Sequence, residues 1–104
     1  MKPYEEQCVQ DVSNRLRQGE HLEILDVREP EEWLSGHIPA AKHIPLPQLP
    51  ERIREIDRNK EWLIVCRSGN RSARACEFLS AQGYRVTNLA GGMLEWDGDI
   101  QTGR

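Results

Sequence analysis

The sequence predicts an α/β fold, a parallel sheet with helices on both faces. Two observations carry that prediction. Short apolar, β-rich runs alternate with stretches of helical spacing along the whole chain, the pattern of strands joined by crossover helices. The central run, Trp62 to Val65, ends in Cys66 and a polar loop before helical spacing resumes. Chemistry-bearing residues thus fall at the carboxyl end of a strand, where open α/β sheets bind ligands. A chain of 104 residues suits one domain, able to bury a single core without disulfide or metal staples.

Each element has its own local reason. Glu5 to Gln18 is expected to be a helix, because Val9, Val12 and Leu16 form one apolar stripe and Gly19 follows as a stop. His21 to Val27 reads as a strand through Leu22, Ile24, Leu25 and Val27. Pro30 then suits the first turn of a short helix whose dipole Glu31 and Glu32 complement, and Gly36 closes it. His43 to Pro45 is a short strand. Leu46 to Arg58 is expected to be a helix that starts late, since Pro47 and Pro50 belong in a first turn, with Leu49, Ile53 and Ile56 facing the core. Trp62 to Val65 is the central, buried strand. Ser72 to Gln82 is the next helix, with Ala75, Cys76, Phe78 and Leu79 near one face and Gly83 beyond its end. Tyr84 to Leu89 is the last strand; Gly91 and Gly92 permit a tight reversal and close backbone approach before a short helix bearing Met93, Leu94 and Trp96. Beyond about residue 97 the chain reads as a loose tail.

Composition narrows the function classes. With 38% hydrophobic and 30% charged residues, the chain is an ordinary globular protein and not a disordered one. A formal net charge of −3 carries no nucleic-acid signature, and no apolar run reaches membrane-spanning length. The three cysteines are too few and too scattered for a disulfide framework, and neither they nor the three histidines show metal-ligand spacing, so no metal is expected; the thiolate chemistry proposed below for Cys66 needs no organic cofactor either. The N-terminus has no apolar signal core, and a working thiolate suits a reducing compartment; the expected location is the cytoplasm.

The candidate site is the loop from Cys66. A strand that ends in a cysteine and passes through a polar, glycine-containing loop into a helix presents backbone N–H groups and a helix dipole to the thiol. Such surroundings stabilise a thiolate and also receive an anion. Cys66 is therefore the candidate nucleophile, with Arg67, Ser68, Gly69, Asn70, Arg71 and Ser72 as the groups around a bound anion. Arg67, Arg71 and Arg74 make the local field positive on a mildly acidic chain. Cys8 reads as a small residue near a helix start, and Cys76, ten residues beyond Cys66, as a buried filler rather than a resolving thiol. His37, in a turn between Gly36 and Pro39, reads as a packing or hydrogen-bonding residue; a thiolate held by backbone N–H groups needs no imidazole base.

Three segments together resemble the rhodanese family of sulfurtransferases. The stretch Asp26-Val27-Arg28-Glu29-Pro30-Glu31-Glu32-Trp33, followed by Gly36 to Ala41, resembles the first rhodanese signature. The six-residue loop Cys66 to Arg71 resembles the active-site loop, and the paired Gly91 and Gly92 before Trp96 resemble the second signature. The resemblance spans about residues 5 to 97. It implies a three-layer α/β/α fold around a central, mostly parallel five-stranded sheet in one domain, residues 1–104. Within it a very short first strand would fit only at Glu6-Gln7. It also implies a sulfur atom carried as a Cys66 persulfide, a small anionic donor such as thiosulfate, and a thiol or cyanide acceptor. Asp26 and Arg28 are placed by it near the loop, where Arg28 counts among the substrate-binding residues; a plain ion pair at the strand end is the other reading of the two. Arg71, which closes the loop, is expected to turn back toward Cys66 and is favoured over Arg67 for contact with the substrate, Arg67 pointing instead to solvent. Related phosphatases have a loop one residue longer, C-x5-R; here that position is Ser72 and the arginine comes one place earlier, which favours sulfur over phosphate. A sulfur-relay module fed by a partner protein, with Trp33 or Trp62 in a docking surface, is the alternative to a small-molecule enzyme; a phosphatase or arsenate reductase is a third reading.

Overall fold

The computed structural model describes residues 2–104. Five strands, β1 (Glu5–Cys8), β2 (Glu23–Asp26), β3 (Lys42–His43), β4 (Glu61–Val65) and β5 (Arg85–Ala90), form one sheet in the order β1-β5-β4-β2-β3. Every pairing between neighbouring strands is parallel, so the sheet is more uniform than the mostly parallel one expected. Five helices connect or flank the strands: α1 (Val9–Arg17), α2 (Pro30–Ser35), α3 (Leu49–Arg52), α4 (Asn70–Ala81) and α5 (Gly92–Glu95).

The two faces of the sheet bury separate cores, because side chains alternate along each strand. Leu25, Ile64 and Val86 point to one face and pack under Ala75, Cys76 and Leu79 of α4 and Leu49 of α3. Ile24, Leu63, Val65 and Leu89 point to the other, against Val9 and Val12 of α1, with Met93 and Trp96 packed at its margin. Each fully buried aliphatic side chain contributes roughly 1.5–3 kcal/mol from leaving water. Trp62 is part of the first core and donates its indole N–H to the Asp57 carbonyl at 2.9 Å. Trp33 stacks on His37, with ring centroids 3.5 Å apart, and on His43 at 4.7 Å. Both indoles are thus engaged within the fold.

Three expectations need correction. The first helix does not run from Glu5; residues Glu5–Cys8 pair with β5 as strand β1, and the helix begins only at Val9. The stripe Val9, Val12, Leu16 was a true helical signal, but it said nothing about the four residues before it. The segment Leu46 to Arg58 is not one helix: a 3-10 turn (Leu46–Gln48), the four-residue α3 and a second 3-10 turn (Ile53–Glu55) replace it. Pro47 and Pro50 each lack the N–H that a continuous helix would use. The tail is not loose either. His37 and Gln101 exchange backbone bonds at 2.9 and 2.8 Å, and the Gly103 N–H donates to the Leu34 carbonyl at 2.9 Å.

Candidate active site

β4 delivers Cys66 to the carboxyl end of the sheet, and α4 opens four residues later with Gly69 as its N-cap. Gly69 has φ +102°, in the left-handed region that glycine occupies at little cost. This turn folds the loop back over the cysteine, so that the Gly69 N–H donates to Cys66 Sγ at 3.1 Å. The Gly91-Gly92 pair holds the loop from behind. Met93 and Leu94, in the first turn of α5, donate their N–H groups to the carbonyls of Cys66 and Arg67, both at 2.9 Å. Gly92 has φ +57°, and a Cβ there would fall 2.5 Å from the Cys66 oxygen and 2.6 Å from that of Arg67. Only a glycine lets α5 approach this closely.

Cys66 is 1% exposed. Burial alone would push its thiol up, but the Ser72 hydroxyl and the backbone N–H groups of Ser72, Gly69 and Ser68 outweigh it and hold Cys66 below the ordinary thiol range. The Ser72 hydroxyl lies 3.2 Å from Sγ and also bonds Asn88 Oδ1. Arg67, Ser68 and Asn70 are exposed at the mouth of the loop. Of the loop residues read from the sequence, Ser68, Gly69 and Ser72 place donors at this sulfur.

Arg71 departs from its expected placement, while Arg28 takes one of its two readings. Arg71 does not turn back to Cys66; its two terminal nitrogens bond Glu32 of α2 at 2.7 and 2.8 Å. The planar guanidinium fork matches a carboxylate in this bidentate way, and Arg71 foremost, before the opposing effect of burial, holds the Glu32 carboxyl at about 2. Arg28 is 5% exposed, and its guanidinium is spent on Asp26, through Nε and Nη2 at 2.8–3.0 Å, and on the Gly36 carbonyl at 2.7 Å. The pair ties the end of β2 to the turn after α2, which is the ion-pair reading of these two residues. His37 donates its Nδ1 proton to the Trp33 carbonyl at 2.8 Å, a packing role. Cys76 is fully buried, and burial pushes its thiol up to about 12. Cys8 is exposed at the start of α1.

Sequence reasoning missed Glu32, Asn88 and Glu6. Glu32 lies 39 residues from Arg71, and Glu6 lies 82 from Asn88, whose Nδ2 donates to it at 3.0 Å. The one signal for the latter pair is strand register, which sets Glu6 directly beside Asn88. Among the described residues no three His, Cys, Asp or Glu side chains converge as metal ligands. A cleft of about 230 Å³ between α1 and the Trp96–Asp99 segment includes no residue of the Cys66 loop.

Residues 9–99 match the sequence profile of the Rhodanese-like domain. The chain belongs to the rhodanese-like family. The sulfurtransferase of Allochromatium vinosum is 42% identical to it over 88 residues, covering 84% of this chain and 82% of that protein. The thiosulfate sulfurtransferase GlpE of Pseudomonas putida is 34% identical over 82 residues, 78% of this chain and 74% of that one. In three dimensions this rhodanese-like chain superposes on the crystal structure of a rhodanese-like domain protein from Staphylococcus aureus with a TM-score of 0.89, at 33% identity, over 96% of this chain and 99% of that one.

Proposed function

We propose that this rhodanese-like domain is a sulfurtransferase that moves a sulfane sulfur from thiosulfate, or a related small anionic donor, to a cyanide or thiol acceptor through a Cys66 persulfide. The observation that carries this reading is the donor cradle: one sulfur, 1% exposed, held ionisable by a hydroxyl and backbone N–H groups at the mouth of a strand–helix loop. The names borne by relatives at 34% and 42% identity point the same way.

The chemistry is a double displacement. The Cys66 thiolate attacks the outer sulfur of thiosulfate; the new S–S bond forms as the old one breaks, and sulfite leaves with the bonding pair. The persulfide anion, Cys66–S–S⁻, keeps its charge among the loop N–H groups of Ser72, Gly69 and Ser68. Cyanide then takes the outer sulfur as thiocyanate, and the thiolate returns. Arg67, exposed at the loop mouth, is the side-chain cation available to the anionic donor, and Arg71 contributes to the field while bound to Glu32. Asn70 and Ser72 complete the wall.

Intact mass spectrometry tests this. After incubation with thiosulfate the protein gains one sulfur atom, cyanide removes it, and Cys66→Ala gains none. A Cys66→Ala protein that still gains a sulfur, or a wild-type protein that gains none, overturns the reading.

A further inference from the structure

Hydrogen bonds continue inward from Cys66, away from the mouth where a donor would enter. Ser72 Oγ lies 3.2 Å from Cys66 Sγ and 2.5 Å from Asn88 Oδ1. Asn88 Nδ2 lies 3.0 Å from Glu6 Oε2 and 3.2 Å from the Gly69 carbonyl. Cys66, Ser72 and Asn88 are each no more than 2% exposed, so water does not supply a missing partner. The orientation of the amide follows from its surroundings. Its NH₂ faces a carboxylate and a carbonyl, which only accept, so its oxygen must face Ser72. A serine hydroxyl carries one proton. Beside a protonated Cys66 that proton has one acceptor, Asn88 Oδ1, while Ser72 Oγ accepts from the thiol. Beside a thiolate it has two competing acceptors.

We infer that Ser72 is a two-position donor steered by Asn88, a positioning residue: the hydroxyl bonds Asn88 Oδ1 while Cys66 carries a proton or a second sulfur, and turns to Sγ when Cys66 is a bare thiolate. The inference rests on Cys66 being the reacting sulfur. Turning the hydroxyl leaves a buried amide oxygen unpaired, which is costly. Asn88 therefore opposes the bare thiolate and keeps it more basic, and a more basic thiolate is the better nucleophile. In the persulfide the charge has moved to the outer sulfur, and the hydroxyl returns to Asn88. Glu6 anchors the arrangement from the edge strand by holding the amide in its orientation.

Other ionisable groups surround Cys66. α4 brings Arg71, paired with Glu32 of α2, and the buried Cys76. The β1 edge brings Glu6 with Lys2 at 3.2 Å, and β2 ends in the closed Asp26–Arg28 pair. α5 brings Glu95, whose carboxyl lies against Gly91. In the Ser72 and Asn88 variants below only Glu6 changes partner, losing Asn88; the Glu6 variants also release Lys2, equally in both.

The test is titration of Cys66 by its thiolate ultraviolet absorbance, taken as the difference between each protein and its Cys66→Ala counterpart. No sulfur donor is used, so failure of sulfur loading and failure of this inference are read separately. Asn88→Ala is expected to lower the Cys66 pKa by about one unit, since the hydroxyl then serves the thiolate alone. Ser72→Ala raises it, Ser72→Thr restores it, and Ser72→Ala with Asn88→Ala matches Ser72→Ala alone. An upward shift in Asn88→Ala, or a downward shift that persists without the Ser72 hydroxyl, overturns the inference. Should Asn88→Ala fail to fold, Glu6 serves instead, as its side chain is 38% exposed. Glu6→Ala frees the amide to turn and Glu6→Gln keeps an acceptor, while both remove the same charge. A lower Cys66 pKa in Glu6→Ala than in Glu6→Gln supports the inference; equal values overturn it.

Discussion

Cys66 and Cys76 belong to one core cluster and are almost equally hidden, at 1% and 0% exposure, yet their thiols move in opposite directions. Burial dominates Cys76 and pushes it up to about 12. The same penalty acts on Cys66 and is overcome by donors aimed at its sulfur. Hydrogen bonding, not exposure, therefore separates the thiol held low from the thiol pushed high. The Arg71–Glu32 pair follows equally local rules and yields a pH prediction. The Glu32 carboxyl is held at about 2 against an ordinary 4.5, with the Arg71 hydrogen bonds the first cause. A carboxyl depressed in the folded state stabilises that state above its unfolded value and loses the contribution as the pH falls through the folded one. Wild type is thus expected to melt above Glu32→Gln at pH values over about 4.5, with the gap closing as the pH approaches about 2. The amide in Glu32→Gln keeps an oxygen for the Glu29 N–H, the bond Glu32 makes at 2.9 Å, so the comparison isolates the ion pair. A gap that stays constant down to pH about 2 would contradict it.

At the scale of elements, α5 acts as a clamp on the loop. It contributes only four residues, but its first turn satisfies the carbonyls of both Cys66 and Arg67. Gly92→Ala tests this against Gly19→Ala. Both glycines have positive φ, +57° and +84°, but a Cβ at Gly19 meets nothing within 4 Å. Each substitution is expected to destabilise the fold by roughly 1–2 kcal/mol from the left-handed backbone. Only Gly92→Ala must also displace the loop carbonyls, and sulfur loading of Cys66 is expected to fall on the order of tenfold or more. Equal loading by the two variants would show that the clamp does not position the loop. The pair of glycines was visible in the sequence because glycine is informative by itself. What it presses against was not, because Cys66 lies 25 residues or more upstream and the contact is to backbone oxygens that any residue carries. β4 and α4 were legible for the opposite reason: apolar spacing and a following glycine act within a few residues. β1 was visible only through the family resemblance, at Glu6-Gln7, because an edge strand with the exposed residues Glu5 and Glu6 has no apolar signature of its own. α3 was over-read because its stripe matched a helix while its prolines removed the bonds to build one. The partners of Arg71 and Ser72 could not be found at all, since they are set by the sheet order that brings α2, β1 and β5 around the loop.

For the molecule as a whole, the formal net charge of −3 would repel an anionic donor if every charge counted equally. They do not. The molecule extends 30 × 28 × 23 Å, while fields between exposed charges fade over about 10 Å at roughly 0.1 M salt. Under the proposed function, a donor at Cys66 would be governed by the loop N–H groups and by Arg67, which is exposed, rather than by carboxylates on the far side. A divalent anion about 6 Å from one such guanidinium in water gains on the order of 1 kcal/mol, of which about half survives at ~0.1 M salt and little at ~1 M. The second-order rate of Cys66 loading by thiosulfate is accordingly expected to fall roughly threefold across that range in wild type, and to stay nearly flat in Arg67→Ala. Alkylation of Cys66 by a neutral reagent should not follow salt in either protein, which separates steering of the anion from any change in the thiolate itself. A thiosulfate rate that rises with salt would mean that the net negative charge reaches the loop, and that its local cations do not decide which anions arrive.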